Sequence, residues 1–168
     1  NVKNGSVGVV VKGTNSKFTS NTAASSVTVD VDGNESTGLF SENGTIDISN
    51  GNIKTSDGAF NLYSKGSTAN IKLTDTTLET GKKSLLFFSE NGGKFTLNNV
   101  NATIKGGTSA ADRGTAFYYN GGGSTINSVA ISNYIKTILN NTQNQLTLNM
   151  ESGARLFVLD DVSVDLSS

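Results

Sequence analysis

The sequence predicts an all-β chain folded as a right-handed parallel β-helix, a solenoid of about five to six coils. Three observations carry this prediction. A short motif recurs at one place in successive repeats, apolar and polar residues alternate with period two, and the corners are rich in residues that accept positive φ. The motif Phe40-Ser41-Glu42-Asn43-Gly44 returns as Phe88-Ser89-Glu90-Asn91-Gly92, with a looser copy at Tyr63-Ser64-Lys65-Gly66-Ser67. Weaker copies include Val11, Tyr119 and Leu139, so the anchors Val11, Phe40, Tyr63, Phe88, Tyr119 and Leu139 are spaced by 29, 23, 25, 31 and 20 residues. A period that varies while the motif keeps its place marks stacked repeats with loop insertions.

Each repeat opens with a strand that ends at the anchor and its polar turn. A second alternating run follows at 17–19, 45–49, 70–74, 94–98, 125–127 and 145–149. The period of two buries one face of each run, and Ile46, Ile71 and Phe95 are expected to stack inside at about 4.8 Å per coil. A third, shorter run at 52–55, 77–80 and 102–105 completes the coil. Asn-Gly pairs at 4–5, 43–44, 50–51, 91–92 and 120–121 supply corners tolerant of positive φ. Asn-Gly also signals a two-residue hairpin, but its recurrence in register favours the solenoid corner.

Composition fits a narrow core. Gly, Ser, Thr and Asn make 81 of the 168 residues, and no stretch reads as a helix with Ala, Leu, Glu and Lys content. Strict alternation and a net charge of -1 separate the chain from a disordered one. There is no cysteine, histidine, tryptophan or proline, and Arg113 and Arg155 are the only arginines. A disulfide framework, a Cys or His metal site and a His-dependent triad are thereby excluded, and no cofactor or metal is expected. The balance of 13 basic and 14 acidic residues leaves no basic stripe for nucleic acid. No apolar run reaches the ~20 residues of a membrane-spanning helix. Val7 to Val11 reads as strand at once, and 158–166 alternates almost to the last residue, so residues 1–168 are expected to form a single β-helix segment of a longer solenoid.

The repeated Phe-Ser-Glu-Asn-Gly motif, the Gly/Asn/Thr/Ser richness and the cysteine-free coils resemble the passenger region of type V autotransporters, particularly large fusobacterial-type adhesins. That resemblance implies a Gram-negative surface protein and virulence factor. It would have an N-terminal signal peptide, a C-terminal outer-membrane β-barrel as its only membrane element, and the passenger exposed outside the cell. Members bind host cells or other bacteria, and others carry inserted protease or lipase domains. The family has no universal catalytic motif in its coils, so the resemblance assigns no residue.

Candidate positions lie where the period stretches. The loop at 106–114 carries the neighbouring charges Asp112 and Arg113, which could meet a partner or form a solvated local pair. Adjacent residues on a strand face opposite ways. With Phe40, Tyr63, Phe88 and Tyr119 pointing inward as a ladder, Leu39, Leu62, Phe87 and Tyr118 face outward or against a loop, and Phe87 and Tyr118 become candidate partner contacts where they form a contiguous exposed patch. Carboxylates at Asp30, Asp32, Asp47, Asp57, Asp160, Asp161 and Asp165 raise a glycoside-cleaving reading, but glycoside hydrolysis needs a facing pair. Lys72 and Thr96 occupy the positions equivalent to Asp47, so no carboxylate column forms. The chain is therefore expected to be a monomeric, non-enzymatic adhesin segment that attaches to a host-cell or bacterial surface protein or glycan. A stalk presenting a distal domain, and a glycan-acting β-helix enzyme or phage tail fibre, are the alternatives.

Overall fold

In the computed structural model, Lys3 and residues 5–139 and 145–165 are described. The Asn4 corner and Leu166, in the alternating run at 158–166, lie outside the described residues.

The chain is mostly β, and every strand pairing is parallel. The first repeat contributes β1 (Val7–Lys12), β2 (Lys17–Ser20) and β3 (Val27–Val31), and the second β4 (Thr37–Glu42), β5 (Thr45–Ser49) and β6 (Gly51–Thr55). In the third and fourth the later runs merge, giving β7 (Phe60–Lys65) with β8 (Asn70–Thr80), then β9 (Leu85–Glu90) with β10 (Lys94–Ile104). The chain continues through β11 (Thr115–Ile126), α1 (Ser128–Ile138), β12 (Leu146–Met150) and β13 (Arg155–Val164). One sheet has the order β1-β4-β7-β9-β11-β13, and the other β12-β10-β8-β5-β2, with β3 beside β6 and β6 beside β8. Parallel neighbours need a long crossover. Here the crossover of each sheet is the other sheet's strands.

The register fixes the core. Phe18, Ile46, Ile71 and Phe95 pair in succession, as the sequence predicts, and the last three are fully buried. Ile48 pairs with Leu73 and Leu73 with Leu97, while Val29, Ile53 and Leu78 form the column of the third run. Threonines near the column ends bury their hydroxyls by bonding the next repeat: Thr55 Oγ1 donates to Glu79 O at 3.5 Å and Thr80 Oγ1 to Thr103 O at 3.4 Å.

In the first sheet the inward column is one residue away from the expected one. Leu39, Leu62 and Phe87 pair in register and are completely buried, and Phe117, paired with Phe87, is 3% exposed. Phe40, Tyr63 and Phe88 form the outward column, beginning at Val10. The anchors accordingly become Val10 and Tyr118 in place of Val11 and Tyr119, and Val158 pairs with Tyr118. Leu139 is the C-cap of α1 rather than a strand residue. A one-residue slip exchanges the faces of a whole strand, and both members of each pair are apolar enough to sit inside.

The corners divide their chemistry. Asn43, Asn50 and Asn91 carry positive φ, at 57°, 55° and 52°. Gly44 serves differently: a Cβ there would stand 2.5 Å from Val11 Cγ1, so that glycine admits the neighbouring repeat, while Gly92 itself carries positive φ, at 85°. Between the second and third runs, Asn50, Asp75 and Asn99 hold φ of 55°, 48° and 52°. Asn99 Nδ2 donates to Asp75 Oδ1 at 2.6 Å, so these corners are stitched together.

Charges outside alternate in sign from strand to strand. Lys12 lies 3.4 Å from Glu42 and Lys65 3.2 Å from Glu90, in a column ordered Lys12, Glu42, Lys65, Glu90. Asp30, Lys54 and Glu79 make a second column, with Lys54 to Glu79 at 3.2 Å.

The regularity ends after β10. The run at 125–127, expected as a second strand, closes β11 in the first sheet, where Ile126 pairs with Val164. The run at 145–149 pairs with the third-run half of β10, Val100 with Leu146 and Ala102 with Leu148. α1, which the sequence reading did not anticipate, lies against β10 and β11. Asn127 caps it, its Oδ1 accepting from Ala130 N at 3.0 Å, and its apolar residues Ile131, Tyr134, Ile135 and Ile138 recur at helical spacing. Ile138 is buried, and Tyr134 and Leu139 pack against the core.

Candidate functional site

The outward column of the first sheet builds a continuous aromatic strip. Strands at about 4.8 Å spacing place equivalent rings in contact. Phe40 and Tyr63 have ring centroids 4.7 Å apart, as do Tyr63 and Phe88, while Phe60 flanks them at 5.2 Å from Phe88. Lys12 Nζ stands 5.6 Å above the Phe40 ring. Tyr118 continues the strip edge-on, 5.9 Å from Phe88 with the rings at 72°.

Carboxylates hold the phenols. The Tyr63 hydroxyl donates to Glu90 Oε2, and burial followed by the Glu90 carboxylate raises the phenol pKa well above its ordinary value. The same bond holds the Glu90 carboxyl below the usual carboxylate range, helped by the Lys65 ammonium and opposed by desolvation. Tyr118 donates to Asp160 Oδ2 at 2.5 Å, and this bond raises its pKa.

α1 turns the end of the strip into a cleft. Tyr119 packs edge-on against Tyr134, centroids 4.8 Å apart, and the Tyr134 hydroxyl donates to Tyr118 O at 2.5 Å. Burial, with Tyr119 close by, pushes the Tyr134 phenol up to about 12. The resulting cleft of about 420 Å³ is lined by Phe88, Ser89, Glu90, Asn91, Tyr118, Tyr119, Asn120 and Tyr134. Ser89 Oγ donates to Gly93 O at 2.6 Å, Asn91 Nδ2 to Glu90 Oε1 at 3.4 Å and Asn120 Nδ2 to Asp160 Oδ2 at 3.4 Å. The lining thus combines ring faces and edges with the amides of Asn91 and Asn120, the hydroxyls of Ser89 and three tyrosines, and one carboxylate.

Of the candidates read from the sequence, Tyr118 lies in this cleft. Phe87 does not: it is fully buried between Phe95 and Phe117, with centroid distances of 5.1 and 5.2 Å, and cannot meet a partner. Asp112 and Arg113 lie elsewhere. Asp112 closes a short 3-10 turn, Ala110–Asp112, and its partners are Ser109 Oγ at 2.8 Å and Lys83 Nζ at 3.3 Å rather than Arg113. The Ser109 bond, then Lys83, holds its carboxyl below the ordinary value. The loop is tied to its neighbours, with Arg155 Nη2 donating to Ala110 O at 2.8 Å and Gly106 N to Glu151 Oε2 at 3.3 Å. Arg113 is half-buried and borders a groove of about 670 Å³ with Lys82, Thr108 and Glu151. Tyr118 is the only one of the eight lining residues that the sequence reading named as a partner contact; Phe88 and Tyr119 were expected to point inward, and Ser89, Glu90, Asn91, Asn120 and Tyr134 were not singled out as contacts. The signal for Phe88 was present: it lies two residues before Glu90, hence on the same strand face, and that face must meet water.

Comparison with known proteins yields no matching family model, no matching curated relative and no matching solved structure.

Proposed function

We propose that the chain is a segment of a right-handed parallel β-helix on a bacterial cell surface, and that it acts as an adhesin attaching to host cells or other bacteria. The solenoid reading is supported by the parallel register of equivalent strands from β1 to β10 and by corners that repeat one left-handed residue. The observation that carries the adhesin reading is the outward aromatic strip, which ends in an open, mixed-polarity cleft where the repeat breaks. Aromatic rings on a rigid sheet are preorganised for contact, because little side-chain freedom is lost on binding.

The cleft is better suited to binding than to cleavage. Its described lining contains a single carboxylate, Glu90, already held by Tyr63 and Lys65, whereas glycoside hydrolysis needs two carboxyl groups about 5 to 9.5 Å apart. The stalk reading has its own support in the alternating charge columns, which favour stacking and need no ligand. Fluorescently labelled chain, applied to epithelial cells and to bacteria, separates the two. The adhesin reading expects saturable binding that unlabelled chain displaces; absence of saturable binding to every cell type would leave the stalk.

A further inference from the structure

We infer that the cleft between β9, β11 and α1 holds one neutral pyranose residue of a surface glycan, its C–H face on the Tyr118 ring and its edge beside Phe88. The inference rests on the attachment reading above and assigns the ligand class. A pyranose offers an apolar face and a rim of hydroxyls, and the cleft offers the complement of both. Phe88 and Tyr118 supply ring surface at a centroid separation of 5.9 Å, while Ser89, Glu90, Asn91 and Asn120 place acceptors and donors around them.

Other ligand classes fit less well. An anion would find no counter-charge, because no lysine or arginine is among the described residues of the lining. A cation would be drawn by the ring faces and by Glu90. That carboxylate is already engaged by the Tyr63 hydroxyl and paired with the Lys65 ammonium at 3.2 Å, which leaves little net charge there to draw a second cation. A flat base stacks on an aromatic face, and because the ring pairs here meet at 72°, both in Phe88–Tyr118 and in Tyr119–Tyr134, the cleft cannot sandwich a base between two parallel faces. A wholly apolar ligand would strip water from the polar rim without replacing its hydrogen bonds.

The test titrates the isotope-labelled chain with methyl glycosides of glucose, galactose, mannose, N-acetylglucosamine and N-acetylgalactosamine. Backbone amide shifts are followed by NMR, with tetramethylammonium and inorganic phosphate in parallel. At least one glycoside is expected to shift amides of 88–91 and 118–120 saturably. Tyr118→Ala is expected to weaken this binding about tenfold, the scale of one lost aromatic contact, with thermal unfolding checking that the variant folds. Tyr118→Phe keeps the ring and is expected to retain most of the affinity. No saturable shift with any glycoside, a stronger response to tetramethylammonium or phosphate, or an equal loss in Tyr118→Phe and Tyr118→Ala would each overturn the inference. Glycan binding without cell attachment would instead overturn the attachment reading and leave the pyranose site standing. Cell attachment unchanged in Tyr118→Ala, together with silent glycosides, would do the reverse.

Discussion

At the scale of single residues, the inside of the first sheet is decided by which neighbour shares a face with a charge. Leu39-Phe40, Leu62-Tyr63 and Phe87-Phe88 are apolar at both positions, so alternation alone leaves the face open. Two residues on stand Glu42, Lys65 and Glu90, which must reach solvent; that places Phe40, Tyr63 and Phe88 outside and Leu39, Leu62 and Phe87 inside, as found. Phe87→Ala is therefore expected to lose about 3–5 kcal/mol of stability in urea unfolding, and Phe88→Ala clearly less, since its ring is only half-buried. Acid should act through Glu90. Its folded pKa is depressed, so its contribution is present above the unfolded value of 4.5 and fades as pH falls through the lower folded value. Glu90→Gln is expected to flatten the loss of stability below that pH, read as the melting temperature at stepped pH; an unchanged acid limb would count against the Tyr63–Glu90 bond.

At the scale of elements, strand identity was legible and strand assignment less so. Runs such as 45–49 and 70–74 alternate cleanly because one face is buried and the other wet, and their register follows from that. The last repeat defeated the same reading. Leu146 and Leu148 alternate as a second-run strand would, but pair with the third-run residues Val100 and Ala102. α1 escaped notice because Val129, Ile131, Ile135 and Thr137 are β-branched and poor helix formers, leaving only the Asn127 cap and the spacing of Ile131, Tyr134 and Ile138 as signals. Tertiary burial of Ile138 overrides the weak propensity, and with α1 unseen the cleft could not be read from the sequence. Asn127→Ala removes the capping acceptor and is expected to cost about 1 kcal/mol. The same variant should broaden or shift the amides of 118–120, because Tyr134 O–H bonds Tyr118 O from this helix; a loss of stability without that shift would detach α1 from the cleft.

At the scale of the whole molecule, each strand meets its equivalents one repeat away, so the proposed solenoid is held by nearest-neighbour terms. Hydrophobic columns supply the attraction, and the alternating charges favour correct stacking over a slipped one. Each exposed pair is worth at most about 1 kcal/mol, yet a slip by one repeat would set Lys12 against Lys65 and Glu42 against Glu90 throughout. Reversing one member exposes this: Glu42→Lys places three lysines in succession along Lys12, position 42 and Lys65. Its destabilisation should shrink as salt rises from about 0.01 to 1 M, since screening shortens the Debye length from about 30 to 3 Å. A cavity tests the spread of the coupling. Ile71 is fully buried between Ile46 and Phe95, so Ile71→Ala should cost about 2–5 kcal/mol. If stability is a sum over adjacent repeats, hydrogen exchange will accelerate first in β5, β8 and β10 and least in β1 and β13. Equal acceleration in every strand would mean that the chain unfolds as one cooperative unit, and the nearest-neighbour account of its stability would then have to be abandoned.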